Sequence, residues 1–485
     1  MAQGTKHRST ERRAVLGVDV GTTAAKAVVF DAAGTGLGAG EAGYPLLEPE
    51  PGQAVQDPDA VIAGTRDAIR AAVDAAAGTH VAAVAFSAAM HGLLAIGAGG
   101  RPLTPLVTWA DSRARPQAAK LRAERIELQA ETGTPLHPMS PMAKLRWFAE
   151  RDPDTFEAAH RWVGVKELLL ARWSGDWVVD HSLASGTGLL DLRALDWHEG
   201  ALEAAGVRPG QLSLPVPGVH VMPLRPDVAT ALGLDPATPL VVGGGDGPLA
   251  NLGLGAVTPG VAAVSIGTSG ALRVVVPEPA SDPRLFCYAL TPGHWVVGGG
   301  TSSGGVTLAW ASRALAPDLS VEALLDVAAD APPGSDGLLM IPALLGERSP
   351  SWDAGARGAY VGLTSAHGRE HLLRAALEGV CFQLAMVLES IRDAGHEVRE
   401  VRATGGFARS PLWRQMLADV LGMEIGFAAG GQASALGAAL LGFRALGIDA
   451  EPAPIATERT AHPDPDAAAV YAAIRADFAR ASARP

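Results

Sequence analysis

One carboxylate in the middle of the chain stands out because of the glycines around it. Asp246 follows three glycines at the end of an apolar run, in the stretch LVVGGGDGPLANLG of residues 240–253. Glycine has no Cβ, so the backbone at this point can approach a ligand closely. The pattern predicts a buried strand that delivers the Asp246 carboxylate to a bound ligand.

A short glycine turn occurs twice in the sequence, about half the chain apart. The segment VDVGTTAAKAVVF of residues 18–30 aligns with VSIGTSGALRVVV of residues 264–276, with six identical pairs. Each copy is an apolar run, a Gly-Thr turn and a second apolar run, which is typical of a β-hairpin. Asp19 of the first copy is Ser265 in the second. The repeat predicts two similarly built domains that each contribute a tight loop to one cleft.

Composition limits the class of protein. The 485 residues suffice for two or three domains with cores of their own. The net charge of −12 argues against a surface for nucleic acid or an anionic membrane, because binding many phosphates needs a basic stripe.

Cys287 and Cys381 lack metal-ligand spacing, which favours buried thiols in a reduced compartment. No apolar run approaches the roughly 18 residues that span a bilayer. We expect a cytoplasmic protein with a disordered tail at residues 1–13, and the sequence allows a homodimer without requiring one.

Two stretches of the first half place polar or aromatic residues at apolar runs. A strand predicted to start at residue 80 carries Met90 and His91 in its centre, where a structural strand prefers other residues than histidine. A histidine satisfied by backbone groups explains this position equally well. Trp109, Asp111 and Arg113 follow another apolar run and could present a stacking face and hydrogen-bond partners to a polyol. The same triplet could instead be a strand end with a surface ion pair.

All the lysines lie within the first 166 residues, so the second half has none with which to hold a phosphate. Lys144 falls in the first turn of a helix predicted to begin at Pro141, with Ser140 as its N-cap. The helix macrodipole disfavours a cation there, so the position hints at an anionic partner, with a solvated lysine as the alternative. Lys166 lies between apolar residues, where a charge needs a partner, and Asp180 is one candidate.

Two glycine-rich stretches match known motifs formally but fail in context. GAGEAG at residues 38–43 fits the dinucleotide fingerprint GxGxxG, but a proline-rich stretch follows it where that motif needs a helix. GTSSG at residues 300–304 fits the nucleophile elbow GxSxG, but glycines surround it and no order of acid and histidine suggests a triad. The phosphate loop GxxxxGK[ST] does not occur. Any phosphate must therefore be held by another kind of loop.

Three features of the second half are typical of ligand-binding loops. A helix is predicted to begin near Gly305, after a strand and a turn of small residues. A loop rich in glycine and proline at residues 340–363 contains Arg348, and loops of this length tend to be functional or to join domains. Gly405 and Gly406 end a strand just before a predicted helix, where backbone can lie against a flat ring and the helix N-terminus can favour an anion.

Seven motifs together carry a resemblance to a known family. In order between residues 14 and 447, they are VDVGTTAAKAVVF, SAAMHGLL, TWADSR, GGGDG, SIGTSG, GERSPSWDAGARGAYVGL and ATGGFARSPLWRQMLADVLG. The set resembles the FGGY family of carbohydrate kinases. Within the family, TGTPLHPMSPMAKL and the run from VKELLL to SGTGLLDLRALDW look most like gluconokinases, with xylulokinases next. Gly247 departs from xylulokinases and glycerol kinases, which usually have glutamine there.

The resemblance implies an α/β fold of two actin-like, ribonuclease H-like domains that flank a cleft where ATP and a sugar meet. The sugar-binding domain would span residues 14–248 and the nucleotide-binding domain residues 249–450, and residues 451–485 would form a peripheral helix or tail. The implied activity is ATP-dependent phosphorylation of a sugar or sugar acid, first of all D-gluconate to 6-phospho-D-gluconate. A pentulose or polyol kinase is the alternative within the family. A non-catalytic sensor of ATP and sugar is the alternative from another class.

The family's functional residues carry over to the matching positions of this sequence. Asp246 would be the general base, and Asp19 and Asp246 would hold Mg²⁺. The nucleotide and its phosphates would be bordered by Gly21, Thr22, Thr23, Gly267, Thr268, Gly305, Gly405, Gly406 and Arg409. The sugar would be met by Met90, His91, Trp109, Asp111 and Arg113. For a gluconate carboxylate, the candidate cations in falling order are Lys144, Lys166 and Arg113.

Overall fold

The computed structural model describes residues 13–428, 432–451 and 460–483. The predicted N-terminal tail lies outside the described residues, apart from Arg13. The strands of the first half are β1 (Ala14–Val20), β2 (Ala24–Phe30), β3 (Gly36–Gly43), β4 (Val55–Gln56), β5 (Val81–Ala88), β6 (Leu94–Ile96), β7 (Leu106–Val107), β8 (Arg161–Val163), β9 (Val178–Asp180), β10 (Leu190–Asp191), β11 (Asp196–Trp197), β12 (Leu214–Val216), β13 (Val221–Met222) and β14 (Leu240–Gly245). Its α-helices are α1 (Pro58–Ala75), α2 (Arg115–Glu124), α3 (Glu127–Thr132), α4 (Pro141–Arg151), α5 (Pro153–Ala158), α6 (Val165–Ser174), α7 (His181–Ser185), α8 (Glu199–Ala205), α9 (Pro226–Leu232) and α10 (Asp246–Gly253).

The second half continues with a similar mixture of elements. Its strands are β15 (Val261–Ile266), β16 (Gly270–Val276), β17 (Phe286–Thr291), β18 (His294–Thr301), β19 (Leu339–Ile341), β20 (Ala359–Val361), β21 (Glu400–Thr404), β22 (Ile425–Phe427) and β23 (Thr460–Ala461). Its α-helices are α11 (Gly305–Leu315), α12 (Val321–Asp330), α13 (Arg369–Asp393), α14 (Pro411–Leu421), α15 (Ala433–Ala445) and α16 (Pro465–Ser482). Short 3₁₀ turns lie at Pro209–Gln211, Ser335–Gly337 and Gly406–Arg409.

Both halves are built on a mixed sheet with the same strand plan. The first sheet has the order β13-β14-β5-β1-β2-β3, and the second has the order β17-β18-β16-β15-β21-β22-β23. In the first, β1, β2 and β3 form an antiparallel meander, while β5 and β14 run parallel to β1. In the second, β15, β16 and β18 form the meander, and β21 and β22 run parallel to β15. The predicted duplication and the two-domain actin-like α/β architecture are confirmed.

The parallel strands bring the predicted site residues to one edge of each sheet. Asp19, near the end of β1, pairs in register with Ser87 of β5, and Gly244 of β14 pairs with the same Ser87. Asp246 directly follows β14. In open α/β sheets, ligands bind beyond the carboxyl ends of such strands. The topology therefore carries Asp19 and Asp246 from distant parts of the sequence to one place.

Two helices join the domains through direct backbone contact. Helices α10 and α15 pack against each other, and α15 also packs on β1 and β5 of the first sheet. A Cβ added to Gly437 of α15 would lie 2.0 Å from the carbonyl oxygen of Leu249, and one added to Gly253 of α10 would lie 1.9 Å from that of Ala433. Glycine at these two positions is therefore needed for this approach.

A second set of contacts joins the domains on another side. The backbone N–H of Ala289 in β17 donates to the Ser185 hydroxyl of α7 at 3.1 Å. The N–H of Cys287, also in β17, donates to the carbonyl of Gly133 at 2.8 Å. Cys287 and Cys381 are both buried free thiols, as predicted.

Helix α13 forms the centre of the second domain. Among the described residues it is the one helix that is long and apolar enough to cross a membrane, but 89 % of its most apolar stretch is buried inside the protein. A buried core helix meets the same criteria of length and composition as a membrane span.

A helix predicted after residue 450 is present as α16, and the described residues from 460 onwards pack against the second domain. Strand β23 pairs with β22 through Ala461 and Ile425. Helix α16 buries Tyr471 and Phe478 completely in the second core. The Tyr471 hydroxyl donates to Glu378 at 2.8 Å, which ties α16 to α13.

We expect Phe478→Ala to lower the free energy of unfolding of the second domain by about 3–5 kcal/mol, because it leaves a cavity against Phe382. Urea unfolding followed by tryptophan fluorescence measures the change. Val470→Ala on the same helix is the control, because Val470 is 41 % exposed. Its effect should stay within about 0.5 kcal/mol, and equal effects of both changes would show that α16 is not a core element.

Candidate active site

The three glycines before Asp246 are required by the packing of β14. The pairing of β14 with β5 is interrupted between Val241 and Gly244, which places a bulge there. Gly243 in this bulge has φ 77°, and a Cβ on it would lie 1.7 Å from the carbonyl oxygen of Phe86. No other residue fits at this position. Asp246 then begins α10, and its Oδ1 accepts the N–H of Gly247 at 2.7 Å.

The Asp19 carboxylate faces Asp246 across the sheet edge. Its Oδ1 accepts a hydrogen bond from the Ser87 hydroxyl at 2.7 Å. Burial, and then the negative charge of Asp246, raise the pKa of Asp19 to about 6. Burial also raises the pKa of Asp246, although Arg273 opposes this shift. Two buried acids that repel each other form a place where a cation is stabilised.

Two arginines that sequence reasoning did not assign to the site lie near Asp246. Arg273, on β16, donates from Nη1 to the Ser265 hydroxyl at 3.2 Å. Burial lowers its pKa to about 10, while Asp246 acts in the opposite direction. Arg273 is the single charged residue in the second copy of the hairpin, and this could have marked it.

Arg348 lies in the long loop that was predicted to be functional. Its guanidinium carbon is 4.9 Å from the centre of the Trp109 ring. Its Nη2 donates to the carbonyl of Thr301, and its Nε has no hydrogen-bond partner among the residues that the structure describes. The buried carboxylate of Glu347 accepts the backbone N–H of Arg348 at 2.8 Å. The guanidinium is thus held by Thr301 and Trp109, and its other N–H groups, Nε–H among them, remain for a ligand.

The first hairpin loop, residues 21–23, is held by hydrogen bonds from side chains of neighbouring segments. The Tyr44 hydroxyl donates to the carbonyl of Gly21 at 2.6 Å, and the indole N–H of Trp109 donates to the Thr22 hydroxyl at 2.9 Å. Thr23 at the tip is exposed. The loop is therefore rigid, and Trp109 supports it while it also stacks with Arg348.

The second hairpin loop is held against the start of α11. The N–H of Gly305 donates to the carbonyl of Gly267 at 2.7 Å, and that of Val306 donates to the carbonyl of Thr268 at 3.0 Å. A Cβ on Gly305 would lie 2.8 Å from the Gly267 oxygen. Gly267 and Thr268 are exposed at the loop tip, whereas the Gly305 N–H is occupied within the protein. Gly305 thus acts through the loop, and the prediction that it lines the nucleotide directly is not supported.

The Gly405–Gly406 pair serves two purposes. Gly405 has φ 126°, and a Cβ on it would lie 2.1 Å from the carbonyl oxygen of Ile266, so it allows β21 to end against β15. A Cβ on Gly406 would meet nothing within 4 Å, which leaves this residue accessible. Arg409 ends the 3₁₀ turn, and Ser410 caps α14 through the N–H of Trp413, as predicted for the cap.

On the sugar side, Met90 and His91 lie beyond the end of β5 and not in the centre of a strand as predicted. The His91 Nδ1 lies 2.7 Å from the carbonyl of Gly186, so it must carry the proton. Burial lowers the pKa of His91 to about 3 and keeps the ring neutral. Its Nε2 is then an acceptor, 3.5 Å from the Tyr288 hydroxyl.

Comparison with known proteins assigns the family. The N-terminal domain of the FGGY family of carbohydrate kinases matches residues 14–253, and the C-terminal domain of that family matches residues 262–446. The chain belongs to the FGGY family of carbohydrate kinases. The prediction of a carbohydrate kinase is confirmed, and ATP is the phosphoryl donor that this family implies.

The relatives agree with the predicted order of resemblance, and the solved structures match a gluconate kinase and a xylulose kinase equally well. A gluconokinase from Bacillus subtilis is 39% identical and covers 89% of this chain and 88% of its own. A xylulose kinase from Escherichia coli is 32% identical and covers 88% and 89%. Crystal structures of a gluconate kinase and a ligand-bound xylulose kinase, both from Lactobacillus acidophilus, match with TM-scores of 0.89 at 32% identity over 97% of each chain.

In this FGGY kinase, Asp111 and Arg113 bind each other. The Arg113 Nη2 lies 2.8 Å from the Asp111 Oδ2, and the Asp111 side chain is 0% exposed. Asp111 also accepts the N–H of Ala54 at 2.8 Å. The alternative of an ion pair at a strand end is supported, although the pair is largely buried. Neither group is free to meet a sugar, so their predicted role as sugar ligands is not supported.

The two lysines predicted to bind a substrate carboxylate are both occupied inside the kinase. Lys144 donates to the carbonyls of His91 at 2.6 Å, Thr108 at 2.7 Å and Val107 at 3.3 Å. An ammonium group has three N–H donors, and all are used here. Burial lowers the pKa of Lys144 to about 7. Neutral carbonyl oxygens thus take the place of the predicted anionic partner, and a role in binding gluconate is not supported.

Lys166 is buried in the same way. Its ammonium lies 2.5 Å from Asp180, the partner that was predicted, and it donates to the carbonyls of Val242 at 3.0 Å and Gly244 at 3.1 Å. The lysine therefore contacts the strand that leads to Asp246 and cannot reach a substrate.

Proposed function

We propose that this kinase transfers the γ-phosphoryl group of ATP to the C6 hydroxyl of D-gluconate. The new bond joins the hydroxyl oxygen to phosphorus, the bond from phosphorus to the ADP oxygen breaks, and the hydroxyl proton passes to Asp246. The observation that carries the proposal is the placement of Asp246 at the sheet edge beside Asp19, with the Arg273 guanidinium packed next to Gly247. The identity to gluconokinases supports the choice of acceptor.

The two hairpin loops supply the phosphate environment. Phosphoryl transfer needs little covalent chemistry from the protein, but it needs an aligned alcohol and donors for the charge on the transferred group. In these loops Thr22, Thr23 and Thr268 would present their backbone N–H and hydroxyl groups, since the N–H groups of Gly21 and Gly267 bond within the loops. Gly406, which has open space around it, and Arg409 would border the nucleotide. Arg273 is placed to balance negative charge near the reacting oxygen.

Asp19 and Asp246 fit a magnesium ion. Among the described residues, no group of three or more candidate ligands forms a preformed metal cage. Mg²⁺ keeps several waters and binds through one or two carboxylates together with substrate phosphates, which suits the repelling pair Asp19 and Asp246. When bound, the ion would neutralise charge on the phosphates. The carboxylates need to be ionised for this, and a cation beside them favours ionisation.

Arg348 is the cation that suits a sugar acid. Its free Nε and its stacking on Trp109 place it on the sugar side, near His91 and Tyr288. Arginine binds carboxylates with a planar fork of N–H groups. A sugar acid would add a carboxylate to the negative groups Glu347 and Asp246 that already act on this buried guanidinium, and a neutral pentulose would not, so we propose that the site favours an acid over xylulose.

A substrate panel tests the acceptor. With ATP and Mg²⁺, ADP release is measured for D-gluconate, D-xylulose and glycerol, and ³¹P NMR identifies the phosphorylated position. We expect kcat/KM for gluconate to exceed that for xylulose by at least about 30-fold, because a buried charge pair contributes about 2 kcal/mol or more. A preference for xylulose would instead assign the pentulose alternative, which the 32% identity to xylulose kinases supports.

The proposal includes a location in the cytoplasm and no nucleic-acid or membrane partner, in keeping with the net charge of −12. A homodimer stays open to measurement by light scattering. The non-catalytic sensor has no support, because both carboxylates and both hairpin loops are in place.

A further inference from the structure

We propose that Lys166 is a positioning residue for Asp246, holding the backbone that carries this carboxylate without contacting substrate. The inference rests on the proposed role of Asp246 as general base. Lys166 is 1% exposed and lies in the second position of α6, outside the cleft. Nothing in phosphoryl transfer uses it directly, so its burial needs another explanation.

The first observation concerns the acceptors of the hydrogen bonds that the Lys166 ammonium donates. Lys166 donates to the carbonyls of Val242 and Gly244, the residues on either side of Gly243. Gly243 is the bulge residue at which β14 leaves its regular pairing with β5. A bulge leaves ladder groups unpaired, and the ammonium group satisfies two of them. Lys166 therefore fixes the irregular turn of backbone just before Asp246.

The second observation is that the partner of Lys166 acts on the same backbone from another side. Asp180 lies 2.5 Å from the Lys166 ammonium, and its Oδ1 caps α7 by accepting the N–H of Leu183 at 2.8 Å. Ser182, in the same short helix, accepts the N–H of Gly245 through its hydroxyl at 3.1 Å. One connected group, Lys166, Asp180 and Ser182, thus holds the residues that precede Asp246.

The same helix also reaches the sugar side of the cleft. Directly after α7, the carbonyl of Gly186 accepts the proton of His91 Nδ1. The Ser185 hydroxyl accepts the N–H of Ala289 from the second domain. The group that positions the base is therefore continuous with the residues that would position the sugar. A displacement of about 1 Å of a reacting group can lower a rate by about 10²-fold.

A buried ion pair could also serve stability alone, so the test must separate the two roles. Removing Lys166 by itself leaves Asp180 as an unpaired buried charge, which destabilises the fold for reasons unrelated to catalysis. The double change Lys166→Met with Asp180→Asn removes both charges. Asparagine keeps an oxygen that can cap α7, so folding is expected to be retained.

The experiment measures kcat, KM for gluconate, KM for ATP and the melting temperature. The double variant should stay folded, with a melting temperature lowered because the carbonyls of Val242 and Gly244 lose their donor, and with kcat lowered about 10²-fold and both KM values within about threefold. The matched control, Lys120→Met with Glu150→Gln, removes an exposed ion pair and should leave kcat unchanged. A folded double variant with kcat within about threefold of wild type overturns the proposal.

A second comparison uses the Asp246→Asn background. If Lys166 acts through Asp246, adding the double change to Asp246→Asn should lower the residual rate less than about threefold, because the group being positioned is already lost. An equal loss in both backgrounds assigns Lys166 a separate role and overturns the proposal. Near-normal turnover of Asp246→Asn alone would instead refute the general-base assignment, so the two failures are distinguishable.

Should the double variant not fold, Ser182→Ala tests the same group with a smaller change. It removes the acceptor for the Gly245 N–H and should lower kcat about tenfold with little change in KM. Unchanged kcat in Ser182→Ala would overturn the proposal in that case.

Discussion

The Asp246→Asn variant is expected to lose about 10²–10⁴-fold in kcat, which corresponds to about 3–5 kcal/mol of activation free energy. Asparagine has nearly the same shape and keeps an oxygen for the N–H of Gly247, so the start of α10 should be unchanged. What the variant lacks is a group that can take the proton of the attacking hydroxyl. Steady-state ADP release with gluconate measures the loss.

Binding of ATP separates this loss from a structural defect. The dissociation constant for ATP, measured by titration calorimetry, should stay within about fivefold of wild type, because a single carboxylate contributes little to nucleotide affinity when Mg²⁺ is held mainly by phosphates and water. Asp176→Asn is the control, since Asp176 is exposed and distant from the cleft. Near-normal turnover by a folded Asp246→Asn protein would remove the assignment of the base.

The Arg348→Gln variant is expected to lose selectivity for sugar acids. Removing one partner of a buried charge pair costs about 2–4 kcal/mol, so kcat/KM for gluconate should fall about 30- to 700-fold. The value for xylulose, which has no carboxylate, should change less than about fivefold. Kinetics on both substrates give the ratio directly.

Two further arginines make the Arg348 result specific. Arg357 lies in the same loop and its side chain is exposed. Arg357→Gln should therefore leave kcat/KM unchanged for both substrates. Arg273→Gln should lower kcat for gluconate and xylulose alike, because Arg273 faces Asp246 and would act on the transferred group. Parallel losses on both substrates for Arg348→Gln would show that the carboxylate binds elsewhere.

The hairpins and the central acid could be predicted from the sequence because their signals are local. The copies at residues 18–30 and 264–276 carry their own turn and strand pattern, and the glycines before Asp246 mark a backbone that has no room for side chains. The pairing of Lys166 with Asp180 could also be predicted, since a charge among apolar residues needs a partner.

The lysine assignments failed because the sequence shows charges but not the carbonyl groups around them. Lys144 was expected to find an anionic ligand, and it is met instead by three backbone oxygens from residues 91, 107 and 108. These oxygens come together only when the segments around β7 and α4 fold against each other. Arg273 and Arg348 were not assigned for the same reason, because tertiary structure alone brings them to Asp246.

The C-terminal helix shows a different limit. Its alanine-rich sequence looks peripheral, and the two aromatic residues that anchor it, Tyr471 and Phe478, find their place only through α13. Burial of a sparse apolar face depends on the surface that it meets, which is not encoded within the helix itself.

The contact between α10 and α15 restricts how the two domains can move relative to each other. The backbones of the two helices are in direct contact at Gly437 and at Gly253. If the helices slid or moved apart there, they would leave a gap that no side chain could fill. Rotation of one lobe against the other must therefore pivot at this pair of helices. If the domains open about these helices, the hydrogen bonds from Ala289 to Ser185 and from Cys287 to Gly133 on the other side are the ones that we expect to break.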